Sequence, residues 1–185
     1  IRTSERRYYQ KVTDIYSECS VDYDKNSEVT LAFFKTVQNI MHYAVSGQTA
    51  AEIVYHRSDA ERPHMGLTTW KNAPNGRVIK SDVTVAKNYL SEKEVEELNL
   101  LTTQYLDYAE LQAKNHVLMT MSDWKRALNR FLEFNQLEVL IDKGTISHQQ
   151  AEEKAVAEYE KFRIIQDREI MSDFDQQLKL LLNGR

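Results

Sequence analysis

The chain is poor in everything that interrupts or staples a fold: 185 residues hold one cysteine, two prolines and five glycines. A lone cysteine, Cys19, excludes an intramolecular disulfide and any Cys/His zinc pattern, and a reducing, cytoplasmic setting is the expectation. No apolar run reaches the ~18 residues that a membrane-spanning helix requires. Excess charge of one sign is missing too. The net charge is −4, with both signs mixed along the chain, which speaks against a general nucleic-acid-binding surface. Ile1 is neither an initiator Met nor part of a signal-like apolar stretch, and the chain is expected to be a piece of a longer protein.

What remains is material for helices. The apolar and charged fractions, 42% and 28%, are those of a globular domain. Phe33, Phe34, Val37, Ile40, Met41 and Ala44 recur at a period near 3.6, which predicts a long amphipathic helix from a cap at Ser27 to Gly47. An earlier helix over about Thr3 to Glu18 carries Tyr8, Val12, Ile15 and Tyr16. Thr49–Glu52 and Ser91–Glu94 both read as capping boxes. They open helices running to about Arg57 and to about Lys114, the second with Leu98, Leu101, Tyr105, Tyr108 and Ala109 inward. Thr120 or Ser122 starts a helix carrying Trp124, Leu128, Phe131, Leu132 and Val139, with Gly144 as its stop. Ser147 caps the next, toward Asp167, and Phe174 to Leu182 form a last amphipathic segment. The expectation is an all-α chain, an irregular bundle of about seven helices. Residues 1–170 form a single helical domain and 171–185 a C-terminal helical extension.

The scarce helix breakers are not scattered. Both prolines, Pro63 and Pro74, and two glycines, Gly66 and Gly76, lie within fourteen residues. A long loop near residues 58–80 in a compact helical domain is functional or disordered. Its flanks are fixed by the capped helix carrying Glu52 and by a cap at Ser81 or Asp82 opening a short helix to Tyr89, so an ordered loop is expected.

Candidate chemistry gathers around this loop. Glu52, His56 and Asp59 would fall within roughly 60° on one helix face, where a carboxylate–imidazole–carboxylate set can orient a general base or ligate a metal. The competing reading is a surface salt-bridge ladder that includes Arg57, and no metal site is assigned. Asn39 and His42 form a polar strip on an otherwise apolar helix, suited to line a pocket or to satisfy the loop's backbone. In Gly66-Leu-Thr-Thr-Trp-Lys71, Thr68 and Thr69 bring hydroxyls, Trp70 a stacking face and Lys71 a charge. Such a set could hold a phosphate, a nucleotide or an acidic peptide, but it lacks the spacing of a Walker loop or a dinucleotide fingerprint. Equally, Leu67 and Trp70 could pin the loop to the helices. Lys80 and Asp82 follow just downstream. No cofactor motif and no nucleophile motif is present.

These elements together resemble the RhuM family of bacterial virulence-associated proteins. The likeness rests on Phe34-Lys-Thr-Val-Gln-Asn39, His42, Gly47-Gln-Thr-Ala-Ala-Glu52, Arg57, Asp59, Met65-Gly-Leu-Thr-Thr-Trp-Lys71 and Lys80-Ser-Asp82. It continues through Ala86-Lys-Asn-Tyr-Leu90, Tyr105-Leu-Asp-Tyr-Ala-Glu110, Met119-Thr-Met121 and Trp124, thinning after about Asp167. The resemblance implies bacterial mobile-element origins and a DNA-binding-like N-terminal region, for which this chain would be the helical C-terminal partner. It supplies no catalytic residues, and His56 departs from the family's pattern. Two functions are consistent with the residues. One is an effector or interaction domain that binds a ligand or partner through residues 57–82 and adjacent polar helix faces, with oligomer formation open and direct nucleic-acid binding not expected. The other is a toxin-like enzyme, a hydrolase or transferase acting on nucleotides or nucleic acid through Arg57, Asp59, His64 and Lys71.

Overall fold

A computed structural model describes residues 13–17, 20–24 and 28–169, together with Leu178, Leu181 and Leu182. The protein is all-α. Among the described residues a helical run at 13–17 precedes α1 (Glu28–Ser46), α2 (Ala50–Arg57), α3 (Glu92–Lys114), α4 (Met121–Phe134) and α5 (His148–Glu169). Single 3-10 turns lie at Pro63–Gly66 and Ala86–Tyr89. The only extended pairing among these residues is an isolated bridge between Ser20 and Met119. The expected cap at Ser27, residues Tyr8 and Val12, and most of the last amphipathic segment lie outside the described residues.

The chain divides into two compact units, Ile1–Ala50 with Ser91–Gly144, and Ala51–Leu90 with Thr145–Arg185. In the first, α1 packs on α3 and α4. Tyr16, Ile40, Tyr105, Trp124, Leu128 and Leu132 are almost wholly buried. The rings of Phe33 and Trp124 lie 5.3 and 5.0 Å from that of Tyr16. Polar groups at this core are satisfied: Trp124 Nε1 donates to Ser20 Oγ at 2.7 Å, and Tyr105 Oη to the Trp124 carbonyl at 2.9 Å. The Asp22 carboxylate accepts from the Met121 N–H at 2.9 Å, a favourable place for an anion because the first amides of a helix have no internal partner.

The caps explain where the helices begin. At α3, Ser91 Oγ accepts from the Glu94 N–H while Glu94 Oε2 accepts from the Ser91 N–H. Thr120 and Asp123 form the same box at α4, and Ser147 with Gln150 a further one at α5. The bonds to Thr120 and Arg126 hold the Asp123 carboxyl down at about 2.

Two boundaries differ from those read in the sequence. Helix α4 stops at Phe134, well before Gly144, so Val139 is not on it. Gln136 takes a left-handed φ of 58°, and the Gln136 and Leu137 N–H groups bond back to the Glu133 and Leu132 carbonyls. This is a Schellman closure built on a glutamine rather than the usual glycine. His116, with φ 53°, closes α3 in the same way. The short helix expected from Ser81 or Asp82 is absent; residues 80–84 turn, and only Ala86–Tyr89 is helical. The Asp82 carboxylate is spent elsewhere, and β-branched Val83, Thr84 and Val85 favour extended backbone.

The second unit is α2, the irregular segment and α5. Residues 58–90 are ordered and in large part buried: Met65, Val83 and Leu90 show no exposure, and Ser58, Val78 and Asp82 show 1%. The Pro63–Gly66 turn packs on α5.

Candidate functional site

The segment from Arg57 to Leu90 carries its own internal frame. Three residues singled out from sequence reach one strip of backbone. Arg57 Nη1 donates to the Tyr89 carbonyl at 3.0 Å. The Thr68 and Thr69 N–H groups both donate to the Asn88 carbonyl, at 2.7 and 3.3 Å. Thr68 Oγ1 lies 3.0 Å from the Asn88 carbonyl and 2.6 Å from that of Leu90. Arg57, Thr68 and Thr69 thus serve the carbonyls of Asn88, Tyr89 and Leu90, an irregular stretch with no helical partner for those groups.

Asp82 organises the next layer. Its buried carboxylate accepts from the Lys71 N–H at 3.2 Å and from the Ile79 N–H at 3.0 Å, and its carbonyl accepts from Asn88 Nδ2 at 2.8 Å. Trp70 is 8% exposed and donates Nε1–H to the Gly76 carbonyl at 2.7 Å. The His64 ring lies over it, with centroids 4.3 Å apart.

His64, Met65 and Gly66 take left-handed φ values of 51°, 61° and 81° in succession. Three such residues in a row are costly for L-amino acids and persist because the surroundings fix them. Met65 is fully buried, and a side chain at Gly66 would run into the Arg57 carbonyl oxygen.

Helix α5 supplies a third set of anchors. Glu158 Oε2 accepts from the Ala60 N–H at 3.0 Å, and Lys154 Nζ donates to the Ser58 carbonyl at 3.0 Å. The Gln166 amide bonds both backbone groups of Val78, and Arg77 pairs with Asp167 at 3.0 Å. The Lys161 ammonium at 2.9 Å, the Ala60 amide and Lys154 hold the Glu158 carboxyl well below its ordinary value, at about 2. Sequence reading gave none of these α5 residues a role. Their signal, a Lys154–Glu158–Lys161 spacing, is shared by many solvated helices.

The remaining candidates fall elsewhere. Asp59 lies past the end of α2, so the Glu52–His56–Asp59 face does not form; Asp59 accepts from the Glu61 N–H and pairs with Arg62. Glu52 Oε1 accepts from the N–H and the hydroxyl of Thr145, both at 2.8 Å. No group of three His, Cys, Asp or Glu residues among those described is placed to hold a metal. Asn39 and His42 belong to the first unit. Asn39 Oδ1 accepts from the Ala50 N–H at 3.3 Å, and buried His42 places Nδ1 2.7 Å from the Gln38 carbonyl. Of the eleven candidates, Lys71 and Lys80 have exposed side chains with no ion-pair partner among the described residues.

A concavity that the sequence reading missed lies in the first unit. An open groove of about 520 Å³ runs between the end of α3 and α4. Tyr108, Val117, Met119 and Phe131 give it an apolar floor, and Arg126, Arg130 and Phe134 stand along it. Phe134 is 86% exposed and neighbouring Leu118 71%. Ala127, Phe131 and Phe134 recur at helical spacing beside Arg126 and Arg130, which is the signal the sequence held.

The described residues form an all-α protein with a strapped irregular segment in one unit and an open groove in the other. Its family is shown by comparison: residues 1–171 match the family model described as Virulence protein RhuM family, and the chain belongs to that family. No curated protein and no solved structure matches it. No helix among the described residues is long and apolar enough to cross a membrane.

Proposed function

We propose that the chain is an interaction domain whose 57–82 segment is a pre-ordered recognition surface for an acidic stretch of a protein partner. The observation that carries this reading is the division of labour within the segment. Arg57, Thr68, Trp70 and Asp82 are turned to backbone groups between Lys71 and Leu90, while Lys71 and Lys80 extend outward with no ion-pair partner among the described residues. Residues 57–82 hold five Arg and Lys against three Asp and Glu, and one of those three, Asp82, is buried. With Arg62 paired to Asp59 and Arg77 to Asp167, the outward cations left are Lys71 and Lys80, which favour an anionic partner and steer its approach. Order before binding lowers the entropic cost of association.

The enzymatic reading has less behind it. A general base and its orienting partner must lie within hydrogen-bond reach of each other, and Arg57 and Asp59 are directed to separate backbone groups.

The test is a titration of the isotope-labelled chain with a Glu-rich peptide at low salt, followed by amide chemical shifts. Shifts confined to about residues 68–81, lost in the Lys71→Glu/Lys80→Glu double variant, support the proposal. Equal binding by wild type and variant, or shifts elsewhere only, overturns it.

A further inference from the structure

The two outward lysines of the irregular segment start from one anchor. Lys71 and Lys80 stand apart in sequence, but the buried carboxylate of Asp82 ties their backbones together. Asp82 Oδ1 accepts from the Lys71 N–H at 3.2 Å, and Oδ2 from the Ile79 N–H at 3.0 Å. A single carboxylate bonded to both amides keeps those two nitrogens within about 8 Å of each other. Lys80 follows Ile79 directly, and a lysine stem reaches about 6 Å. Both ammonium groups can therefore close on one anion.

Further donors stand beside them. Residues 79–82 form a turn, closed by the Asp82 N–H on the Ile79 carbonyl at 2.8 Å. The central N–H groups of such a turn have no partner within it. Here they belong to Lys80 and Ser81, both exposed, and no acceptor for them or for the Ser81 hydroxyl lies among the described residues. The turn is held firmly in place. Gln166 bonds both backbone groups of Val78, and Asn88 Nδ2 donates to the Asp82 carbonyl. All of these residues belong to one compact unit.

Charge decides which anion fits. A carboxylate brings one negative charge and satisfies one lysine. A phosphomonoester brings roughly −1.5 to −2 at neutral pH, on three strong acceptor oxygens. Two ammonium groups brought close together repel each other, and a single dianion between them reverses that energy. Two lysines with two turn amides and a hydroxyl match such a group in charge and in number of donors.

We propose that Lys71, Lys80 and the 79–82 turn form a phosphoryl-binding site, and that its ligand is a phosphorylated serine or threonine of a protein partner. The proposal rests on the reading of the 57–82 segment as a surface for an acidic protein stretch, and it names the group read there. Binding is then governed by a kinase and a phosphatase acting on the partner.

Amide shifts of the isotope-labelled full chain test this with four probes at low salt. They are a peptide with one phosphoserine among neutral residues, the same peptide with serine, the same with glutamate, and inorganic phosphate. The phosphoserine peptide should shift the amides of Lys71 and residues 79–82, and bind about tenfold or more tighter than the glutamate form. The serine peptide should leave the spectrum unchanged, and inorganic phosphate should shift the same amides more weakly. Lys71→Ala and Lys80→Ala alter exposed side chains, so each should weaken phosphopeptide binding about fivefold or more with unchanged melting. Equal binding of the phosphoserine and glutamate peptides overturns this proposal and leaves the acidic-stretch reading standing. Phosphopeptide binding without any binding of the Glu-rich peptide does the reverse: the phosphoryl site stands and the wider reading falls. Binding of inorganic phosphate alone, shifts elsewhere only, or indifference to both alanine variants also overturns it.

Discussion

Gln166 holds Val78 by both of its backbone groups: Oε1 accepts from the Val78 N–H at 2.8 Å and Nε2 donates to the Val78 carbonyl at 3.2 Å. Both residues are buried, so a side-chain amide does here what a neighbouring strand does in a sheet. Gln166→Leu leaves a buried donor and a buried acceptor unpaired. The expected cost is about 2–4 kcal/mol, since each orphaned group costs roughly 1–3, and denaturant unfolding measures it. Proteolysis should become faster around residues 70–80. A variant as stable as wild type would show that Val78 is satisfied in another way.

The left-handed turn makes its own prediction. Gly66→Ala combines a φ of 81° with a collision against the Arg57 carbonyl, whereas Gly47→Ala has a φ of 66° and open space around it. The first should cost about 2–4 kcal/mol and the second about 1. Comparable losses in the two melting curves would place the strain elsewhere.

Two helix ends offer stabilisation. Gln136 and His116 are exposed and sit at left-handed φ values of 58° and 53°. Glycine adopts that conformation without penalty, and its greater unfolded-state entropy offsets only part of the gain. Gln136→Gly and His116→Gly should each raise stability by about 0.5–1 kcal/mol, read from the urea midpoint at unchanged slope.

The Glu158 carboxyl gives a pH dependence. Its folded-state value is lowered from the usual 4.5 to about 2. A group depressed by folding stabilises fully above its unfolded value and loses that contribution as pH falls through its folded one. The window here is therefore about pH 4.5 down to about 2. Glu158→Gln should melt well below wild type at pH 7, with the gap closing as pH drops toward 2. A gap that stays constant with pH would mean the loss is packing rather than charge.

Helices and their starts were legible because their causes are local. Ser91 with Glu94 and Ser147 with Gln150 sit three residues apart, and the apolar period of α1 is read within one segment. The same holds for the break between Arg57 and Ser91, where proline and glycine act on their own backbone. The stop at Phe134 was hidden because Gln136 carries none of glycine's signal, and its left-handed turn follows from bonds to Leu132 and Glu133.

The candidate site was legible as a place but not as a set of roles. Trp70, Arg57 and Asp82 were marked by chemical type, yet what each touches depends on residues far along the chain. Gln166 and Glu158 lie 88 and 98 positions from the backbone groups they hold. No local pattern encodes such pairings.

That separation bears on synthesis. The first unit's residues 91–144 interrupt the second unit in sequence, so a nascent chain displays residues 58–82 before their clamps at Lys154, Glu158 and Gln166 exist. At roughly 5–20 residues per second, the segment waits several seconds with Val78, Ala60 and Ser58 unclamped. In a cell it would be a protease and chaperone target in that interval, and the segment's buried frame could assemble only after α5 had left the ribosome.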